Sequence, residues 1–176
     1  MNEESKYIEV QKFNQKWINI ILYIILIGDF IVTFIFLSKK QIVFISLIPL
    51  VAALVIFILF KIMKLTVSID ANKVEFRFKP FHLNNQVISK EDIASAKVIK
   101  YEPISDYGGW GIRYSFKKGK AFTIRGDHGL LLKLKSGKSV LLGTQQPEQL
   151  NSFLTASRVS SYSSENDTEK RSPGLS

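Results

Sequence analysis

Two long apolar runs dominate the pattern of hydrophobic and polar positions in the first third of the chain. They cover residues 17–37 and 42–60, and only residues 38–41 separate them. The hydrocarbon layer of a bilayer is about 30 Å thick and a helix rises about 1.5 Å per residue, so about 20 apolar residues span it. Both runs have that length. The pattern therefore predicts two transmembrane helices that form a hairpin with both ends on one side of the membrane.

After residue 64 the pattern changes to the alternation of apolar and polar positions that is typical of half-buried strands. Alternation and turn signals predict seven strands, at residues 65–70, 74–79, 86–88, 94–100, 120–124, 129–134 and 139–142. Pro147 is favoured at a helix start, and Leu150, Phe153 and Leu154 follow it at helical spacing. We therefore predict an α+β domain in which a bent seven-stranded sheet or barrel is capped by a C-terminal helix.

These patterns divide the chain into four predicted segments. They are a polar cytoplasmic lead-in at 1–16, a transmembrane hairpin at 17–60, a soluble domain at 61–157 and a Ser-rich, disordered tail at 158–176. A cleaved signal peptide is a poor interpretation of the first apolar run. The run is longer than the usual apolar region of such a peptide, and no small-residue cleavage site follows it.

Positive charge is concentrated in the soluble domain. Residues 61–157 carry sixteen Lys and Arg against eight Asp and Glu, which accounts for most of the net charge of +9. Positive residues that flank membrane helices stay preferentially in the cytoplasm. The two ends of the hairpin carry more of them than its loop, which has Lys39 and Lys40. We expect a multi-pass protein of the inner (plasma) membrane with both termini in the cytoplasm.

Four basic residues follow the second apolar run closely enough to lie at the membrane surface. Basic groups near an anionic leaflet each contribute about 1 kcal/mol to membrane association. The main expected role of these residues is to fix topology and orient the domain, with contact to anionic head groups as a second possibility. They are Lys61, Lys64, Arg77 and Lys79.

Asp29 is the one charged residue inside the first apolar run. A carboxylate in the hydrocarbon layer costs at least ~2.5 kcal/mol on insertion scales, so it normally faces a partner or a cavity. Folding the hairpin at its loop brings Asp29 level with residues 49–51. Two interpretations remain open: Asp29 serves an ion or proton step or a contact between protomers, or it is a protonated or snorkelling acid without such a role.

The stretch at residues 101–114 combines aromatic residues with three glycines. Glycines around Trp110 allow a tight turn that presents the ring at an interface, with Tyr107, Arg113 and Arg125 nearby. In the alternative interpretation, Trp110 folds back into the domain and the glycines only permit the bend. The sequence leaves both open, and these four residues are the predicted interaction site.

No constellation of residues indicates catalysis. The chain has no cysteine, which excludes thiol chemistry and cysteine metal sites. Gly137-Lys138-Ser139 lacks the first glycine of a phosphate-binding loop. Asp127-His128 has no matching serine nucleophile, and His82 and His128 lack metal-site spacing. We therefore predict no catalytic residues, no metal site and no cofactor, and a protein that is not an enzyme.

Three motifs resemble those of a known group of proteins. They are the aromatic-glycine turn at 107–113, Arg125-Gly126 followed by Gly129-Leu130, and the segment 142–150 with its Gln-Pro-Glu helix start. With them the chain resembles, over about residues 15–155, an uncharacterised family of prokaryotic two-span membrane proteins with a bacterial pleckstrin-homology-like domain. The resemblance implies the fold and the membrane location, and it implies no activity.

Together these expectations describe an integral membrane protein whose cytoplasmic pleckstrin-homology-like domain is a protein-interaction or assembly module at the membrane surface. The expected partners are the bilayer, anionic head groups, and other membrane proteins or further copies of the chain. Nucleic acid is a poor candidate, because the basic domain carries no recognised reading motif. The alternative is a small oligomeric transport or ion-handling protein that uses Asp29.

Overall fold

The structure, a computed structural model, describes residues 6–13, 16–38 and 43–157, with the backbone alone at 43–46. The predicted tail at 158–176 and the hairpin loop with Lys39 and Lys40 lie outside the described residues. The elements are β1 Tyr7–Lys12, α1 Lys16–Ser38, α2 Val43–Ile62, β2 Lys64–Ile69, β3 Lys73–Lys79, β4 Gln86–Ser89, a 3-10 turn Lys90–Asp92, β5 Ile93–Lys100, α3 Pro103–Tyr107, β6 Gly111–Ser115, β7 Gly119–Thr123, β8 His128–Leu134, β9 Ser139–Thr144 and α4 Pro147–Ala156. The α+β class predicted from the sequence is confirmed.

The chain forms two compact units. One contains both long helices, at residues 12–64, together with residues 79–81, and the other contains the two sheets. In the helical unit α1 and α2 pack antiparallel. The rings of Tyr23 and Phe57 lie 5.3 Å apart, and Lys61 Nζ donates to Asn19 Oδ1 at 3.2 Å. The start of α1 therefore lies beside the end of α2.

Among the described residues, α1 is the one helix long and apolar enough to cross a membrane. Within α2, the stretch Leu47–Ile62 is a shorter apolar helix by the same criterion. Nearly all large side chains on α1 are exposed in the isolated chain, with Leu22 and Thr33 buried on one face. This exposed apolar surface is the opposite of what a water-soluble helix presents.

The β-rich unit consists of two sheets. The first has the order β1-β2-β3-β4 and the second the order β5-β8-β9-β7-β6. Alternate residues on β2 and β3 are buried, as their sequence pattern predicts. The rings of Phe76 on β3 and Phe122 on β7 lie 4.7 Å apart, so the two sheets share a core. Helix α4 buries Leu150 and Leu154.

All seven predicted strands are present, and two further strands extend the sheets. β6 lies within the aromatic-glycine stretch, and α3 precedes it. β1 lies within residues 1–16, the segment that was predicted from its polarity to be a lead-in. Its polar residues Tyr7, Glu9 and Gln11 are buried while Ile8 and Val10 are exposed. An inverted strand of this kind does not show the apolar-inward alternation by which strands are recognised.

The second sheet also departs from a simple succession of antiparallel strands. β8 pairs antiparallel with both β5 and β9, but β7 pairs parallel with β9, with Ala121 opposite Leu141. The hairpin of β6 and β7 is thereby added at the far side of β9. As a result β6 forms one edge of the second sheet.

Candidate interaction surface

The glycine-rich turn is built by α3 and its left-handed cap. Gly108 has φ 72° and its N–H donates to the carbonyl of Ile104, which ends α3 after Tyr107. A residue with a side chain rarely adopts this conformation, so glycine is required here. Tyr107 is buried, and its hydroxyl donates to the Lys118 carbonyl at 3.3 Å. The turn is therefore tied to the β6–β7 hairpin.

Trp110 folds back onto the domain. Its indole Nε1 donates to the carbonyl of Gly126 at 2.8 Å, in the turn between β7 and β8. Arg113 Nε donates to the Trp110 carbonyl at 3.1 Å, and Arg125 Nε donates to Gln145 Oε1 at 2.7 Å. Trp110, Arg113 and Arg125 thus lie around one end of the second sheet, whereas the Tyr107 hydroxyl reaches the turn between β6 and β7. Trp110 is held against the domain surface but stays partly exposed, and the two arginines are exposed.

The exposed aromatic surface lies at the other end of the same strand. We define the edge hairpin as residues 111–123, which contain β6, β7 and their turn. Phe116 is 96% exposed, Tyr114 is 62% exposed, and their rings lie 5.4 Å apart. Ile112 extends this apolar patch along β6. Among the described residues no strand lies on the outer side of β6, so its outward backbone groups are open to a partner.

Lysines surround the edge hairpin. A cavity of about 420 Å³ is lined by Tyr114 and Phe116 together with Lys117, Lys120 and Lys138. The three lysines lie beside the apolar patch, and the described residues that line the cavity include no acidic residue. The charge and the aromatic rings together suit a partner that is acidic and partly apolar.

A second basic cavity lies on the same sheet beside α3, with a volume of about 260 Å³. Its lining includes Lys100, Lys117, Lys118, Lys133, Tyr101 and Tyr107. Lys118 forms an ion pair with Asp106 and thereby lowers the pKa of that carboxyl. Burial raises the pKa of Tyr101 to about 12 and also raises that of Tyr107, so the floor of the cavity is neutral at physiological pH. Asp106 also lines the cavity, so its carboxylate offsets part of the charge of the surrounding lysines.

A buried polar cluster joins β1 to the start of α4, and sequence analysis did not find it. The Glu9 carboxylate accepts hydrogen bonds from the Tyr7 hydroxyl, the Thr144 hydroxyl and the Gln145 N–H, each at 2.7 Å. Burial, and next the hydrogen bond to Glu9, raise the pKa of Tyr7. Gln11 Nε2 donates to the Gly143 carbonyl. The available signal was the strict alternation of residues 7–12, which has the period of a strand in spite of its polarity.

Asp29 lies on the face of α1 that carries the buried residues of this helix. It is half-buried, and it lies seven residues after the buried Leu22 and four before the buried Thr33. That spacing places the three on one helix face. If the pairs Asn19–Lys61 and Tyr23–Phe57 continue along the hairpin, Asp29 is level with residue 51.

The four residues predicted to lie at the membrane surface are distributed over α2, β2 and β3. Lys61 lies in the last turn of α2, with its Nζ 5.3 Å from the centre of the Phe57 ring. Lys64 begins β2 and Lys79 ends β3. Arg77 Nε donates to the carbonyl of His82 at 3.2 Å.

The described residues contain no group of three or more His, Cys, Asp or Glu that could hold a metal ion. The Asp127 and His128 side chains lie 2.7 Å apart, which lowers the pKa of Asp127. Lys100 lies 3.5 Å from the same carboxylate. No model of a known protein family matches the chain, and no curated protein matches it significantly. The functional interpretation therefore depends on the geometry described above.

Proposed function

We propose that this chain is a two-span membrane protein whose β-rich domain is a protein-interaction module at the cytoplasmic surface. One observation carries the proposal. The two apolar helices are inserted between β1 and β2, which are neighbours in one sheet. A segment that leaves a sheet and returns to the adjacent strand crosses a membrane an even number of times. If α1 spans the bilayer, α2 must return through it.

The composition of both helices supports this topology. α1 has 23 residues, and α2 has 20 with Lys61 as its one charged residue. Large apolar side chains remain exposed on both, for example Ile24, Phe30 and Ile48. Burying each such side chain is worth roughly 1.5–3 kcal/mol, and a bilayer is the environment that buries all of them together. The excess of Lys and Arg at the ends of the hairpin supports a cytoplasmic β-rich domain.

A pleckstrin-homology-like relationship is part of the proposal. It is supported by two packed sheets closed by a C-terminal helix and by the resemblance of the glycine-aromatic motifs. The parallel pairing of β7 with β9 is a variation on that plan. The proposal of an interaction module does not depend on the name of the fold, because the open edge at β6 exists in either case.

The edge hairpin supplies the proposed binding site. An unpaired edge strand can take up an extended peptide as a further strand, with main-chain hydrogen bonds providing affinity and side-chain pockets providing specificity. Tyr114 and Phe116 offer the apolar contacts, and Lys117, Lys120 and Lys138 favour acidic residues in the partner. We therefore propose an acidic, partly apolar segment of another membrane protein as the partner.

Replacement of Tyr114 and Phe116 by serine should reduce capture of the partner at least tenfold without unfolding the domain. Both side chains are largely exposed, so we expect a change in unfolding free energy within about 0.5 kcal/mol. The measurement is quantitative crosslinking and co-purification from membranes that contain the full chain. Val87→Ser, at an exposed position of β4, is the matched control and should retain capture. Equal capture by both variants would remove the edge hairpin from the proposal.

Cysteine labelling in intact cells tests the topology. The chain contains no cysteine, so single variants are unambiguous. Ser38→Cys, at the end of α1, should react with a membrane-impermeant maleimide added outside the cell. Asn72→Cys, in the turn between β2 and β3, should react only after permeabilisation. Labelling of Asn72→Cys in intact cells would contradict the proposed orientation.

Asp29 favours one alternative function, an oligomeric ion-handling protein. The observation in its favour is that this half-buried residue lies on the same face of α1 as the buried Leu22 and Thr33. Asp29→Asn removes the charge and keeps the size of the side chain. The interaction module predicts unchanged partner capture and unchanged ion or proton flux in reconstituted vesicles. A loss of flux of tenfold or more, with capture retained, would favour the ion-handling function.

A further inference from the structure

The loop between β3 and β4, residues 80–85, exposes two large apolar side chains to solvent. Phe81 is 59% exposed and Leu83 is 81% exposed. His82 between them points into the domain, with its ring centre 6.0 Å from that of Phe76 and 5.4 Å from that of Phe122. Burial lowers the pKa of His82, so the inward ring is neutral at physiological pH. The side chains at positions 81, 82 and 83 therefore point outward, inward and outward in turn.

Hydrogen bonds hold the loop in this arrangement. Arg77 Nε donates to the His82 carbonyl at 3.2 Å, and Arg77 Nη2 donates to the Leu83 carbonyl. The His82 N–H donates to the Phe78 carbonyl at 2.8 Å. These three hydrogen bonds fix the backbone in the conformation that exposes both apolar side chains. The loop therefore needs no further ordering when it binds.

Connectivity places the loop where the helices leave the sheet. β2 begins at Lys64, directly after α2 ends at Ile62. The Asp70 N–H donates to the Lys73 carbonyl, which closes the turn between β2 and β3. β3 therefore runs back along β2 and ends at Lys79, beside the start of β2. Residues 79–81 belong to the same compact unit as α1 and α2.

Basic residues predominate around the loop, and the acid in contact with it, Glu75 beside Asn85, is paired with Lys73. Residues 76–90 include Arg77, Lys79 and Lys90 and contain no aspartate or glutamate. Exposed apolar side chains flanked by basic groups suit the boundary between head groups and acyl chains of an anionic leaflet. Phe81 and Leu83 exposed to water would be unfavourable, whereas this boundary accepts both the rings and the charges.

We propose that the loop at 80–85 is an interfacial anchor, in which Phe81 and Leu83 enter the anionic surface of the bilayer. The anchor gives the β-rich domain a second attachment to the membrane in addition to the covalent connections through α1 and α2. It restricts the tilt of the domain and thereby the direction in which the edge hairpin faces. The inference rests on the proposed two-span topology.

Quenching of a single fluorophore by nitroxide lipids tests this anchor in the full chain. Asn84→Cys carries the reporter, because this exposed position retains both Phe81 and Leu83. Ser89→Cys is the control, since Ser89 pairs with Lys73 at the opposite end of β3, roughly 20 Å from Lys79. Ile48→Cys on α2 is the membrane reference. Each variant is labelled with NBD and reconstituted in phosphatidylglycerol–phosphatidylcholine vesicles that contain nitroxide lipid.

The expected result is strong quenching at position 48 by a deep nitroxide and at least threefold more quenching at 84 than at 89 by a shallow one. Combining Phe81→Ser with Leu83→Ser should bring position 84 down to the level of position 89 and leave position 48 unchanged. Equal quenching at 84 and 89, with position 48 quenched, would overturn the anchor alone. No quenching at position 48 would overturn the two-span topology and the anchor with it.

Discussion

Residues 6–12 joined by a short glycine-serine linker to residues 64–157 should fold into a stable, water-soluble domain, whereas residues 64–157 alone should lose most of that stability. The join is short because the rings of Phe13 and Phe60 lie 5.2 Å apart, which brings the end of β1 close to the start of β2. The apolar helices would be absent from both proteins, so any difference between them reports on β1.

The physical reason is that β1 contributes both backbone and side-chain partners. Without it β2 becomes an open edge, and the hydroxyl of Thr144 and the N–H of Gln145 lose the Glu9 carboxylate. The contact between the Tyr7 and Phe153 rings, at 5.7 Å, is also lost from α4. Each unpaired buried group costs about 1–3 kcal/mol, so we expect a loss of about 2–6 kcal/mol from these two groups alone. Domains of this size have a total stability of about 5–15 kcal/mol.

Urea unfolding followed by circular dichroism measures this difference. A linked domain with Ile8→Thr and Val10→Thr is the matched control, because both side chains are exposed on β1 and threonine keeps the propensity for a strand. The control should retain the stability of the linked domain to within about 1 kcal/mol. If residues 64–157 alone were as stable as the linked domain, β1 would not belong to the fold in solution.

Glu9→Ala in the full chain should have the largest effect of any substitution at a charged residue. It leaves the Tyr7 hydroxyl, the Thr144 hydroxyl and the Gln145 N–H without their acceptor in a buried setting. We expect a loss of about 2–4 kcal/mol in the free energy of unfolding of the β-rich unit. Glu9→Gln keeps the shape and one acceptor oxygen, so its loss should be intermediate.

Thermal unfolding and amide hydrogen exchange at β1 and α4 measure the effect of these substitutions. Glu148→Ala is the control, because Glu148 is an exposed acid in the first turn of α4 and takes no part in the cluster. It should change stability by less than about 0.5 kcal/mol. A Glu9→Ala variant as stable as Glu148→Ala would show that the cluster is not buried in solution.

The strands β2 and β3 and the helix α4 could be predicted because their apolar residues point inward, which gives a period of two or of 3.6 in the sequence. β8 and β9 could be predicted as short apolar runs on either side of a glycine turn. β1 was not predicted because its inward residues are Tyr7, Glu9 and Gln11. Their burial depends on partners that are more than 130 residues away in the chain. No local pattern reveals such partners. β6 was not predicted for the opposite reason, because its apolar residues Ile112 and Tyr114 are exposed on an open edge and do not point into the core.

The candidate site divides in the same way. The sequence indicated the glycine-aromatic stretch, and its glycines do form the left-handed cap at Gly108. It could not decide whether Trp110 points outward or folds back. That choice depends on the carbonyl of Gly126, which lies 16 residues further along the chain. The exposed aromatic pair at Tyr114 and Phe116 was recognisable only once β6 was known to be an edge.

By itself the sequence determined the apolar segments, the basic excess of the domain and the absence of cysteine, because these are sums over local composition. The tertiary structure decided which polar residues are buried, which strand is left at an edge and which apolar residues face solvent. It also showed that the helices are inserted between two neighbouring strands. The physical reason is that hydrogen-bond partners and burial are set by contacts between distant segments, and such contacts leave no periodic signal in either segment.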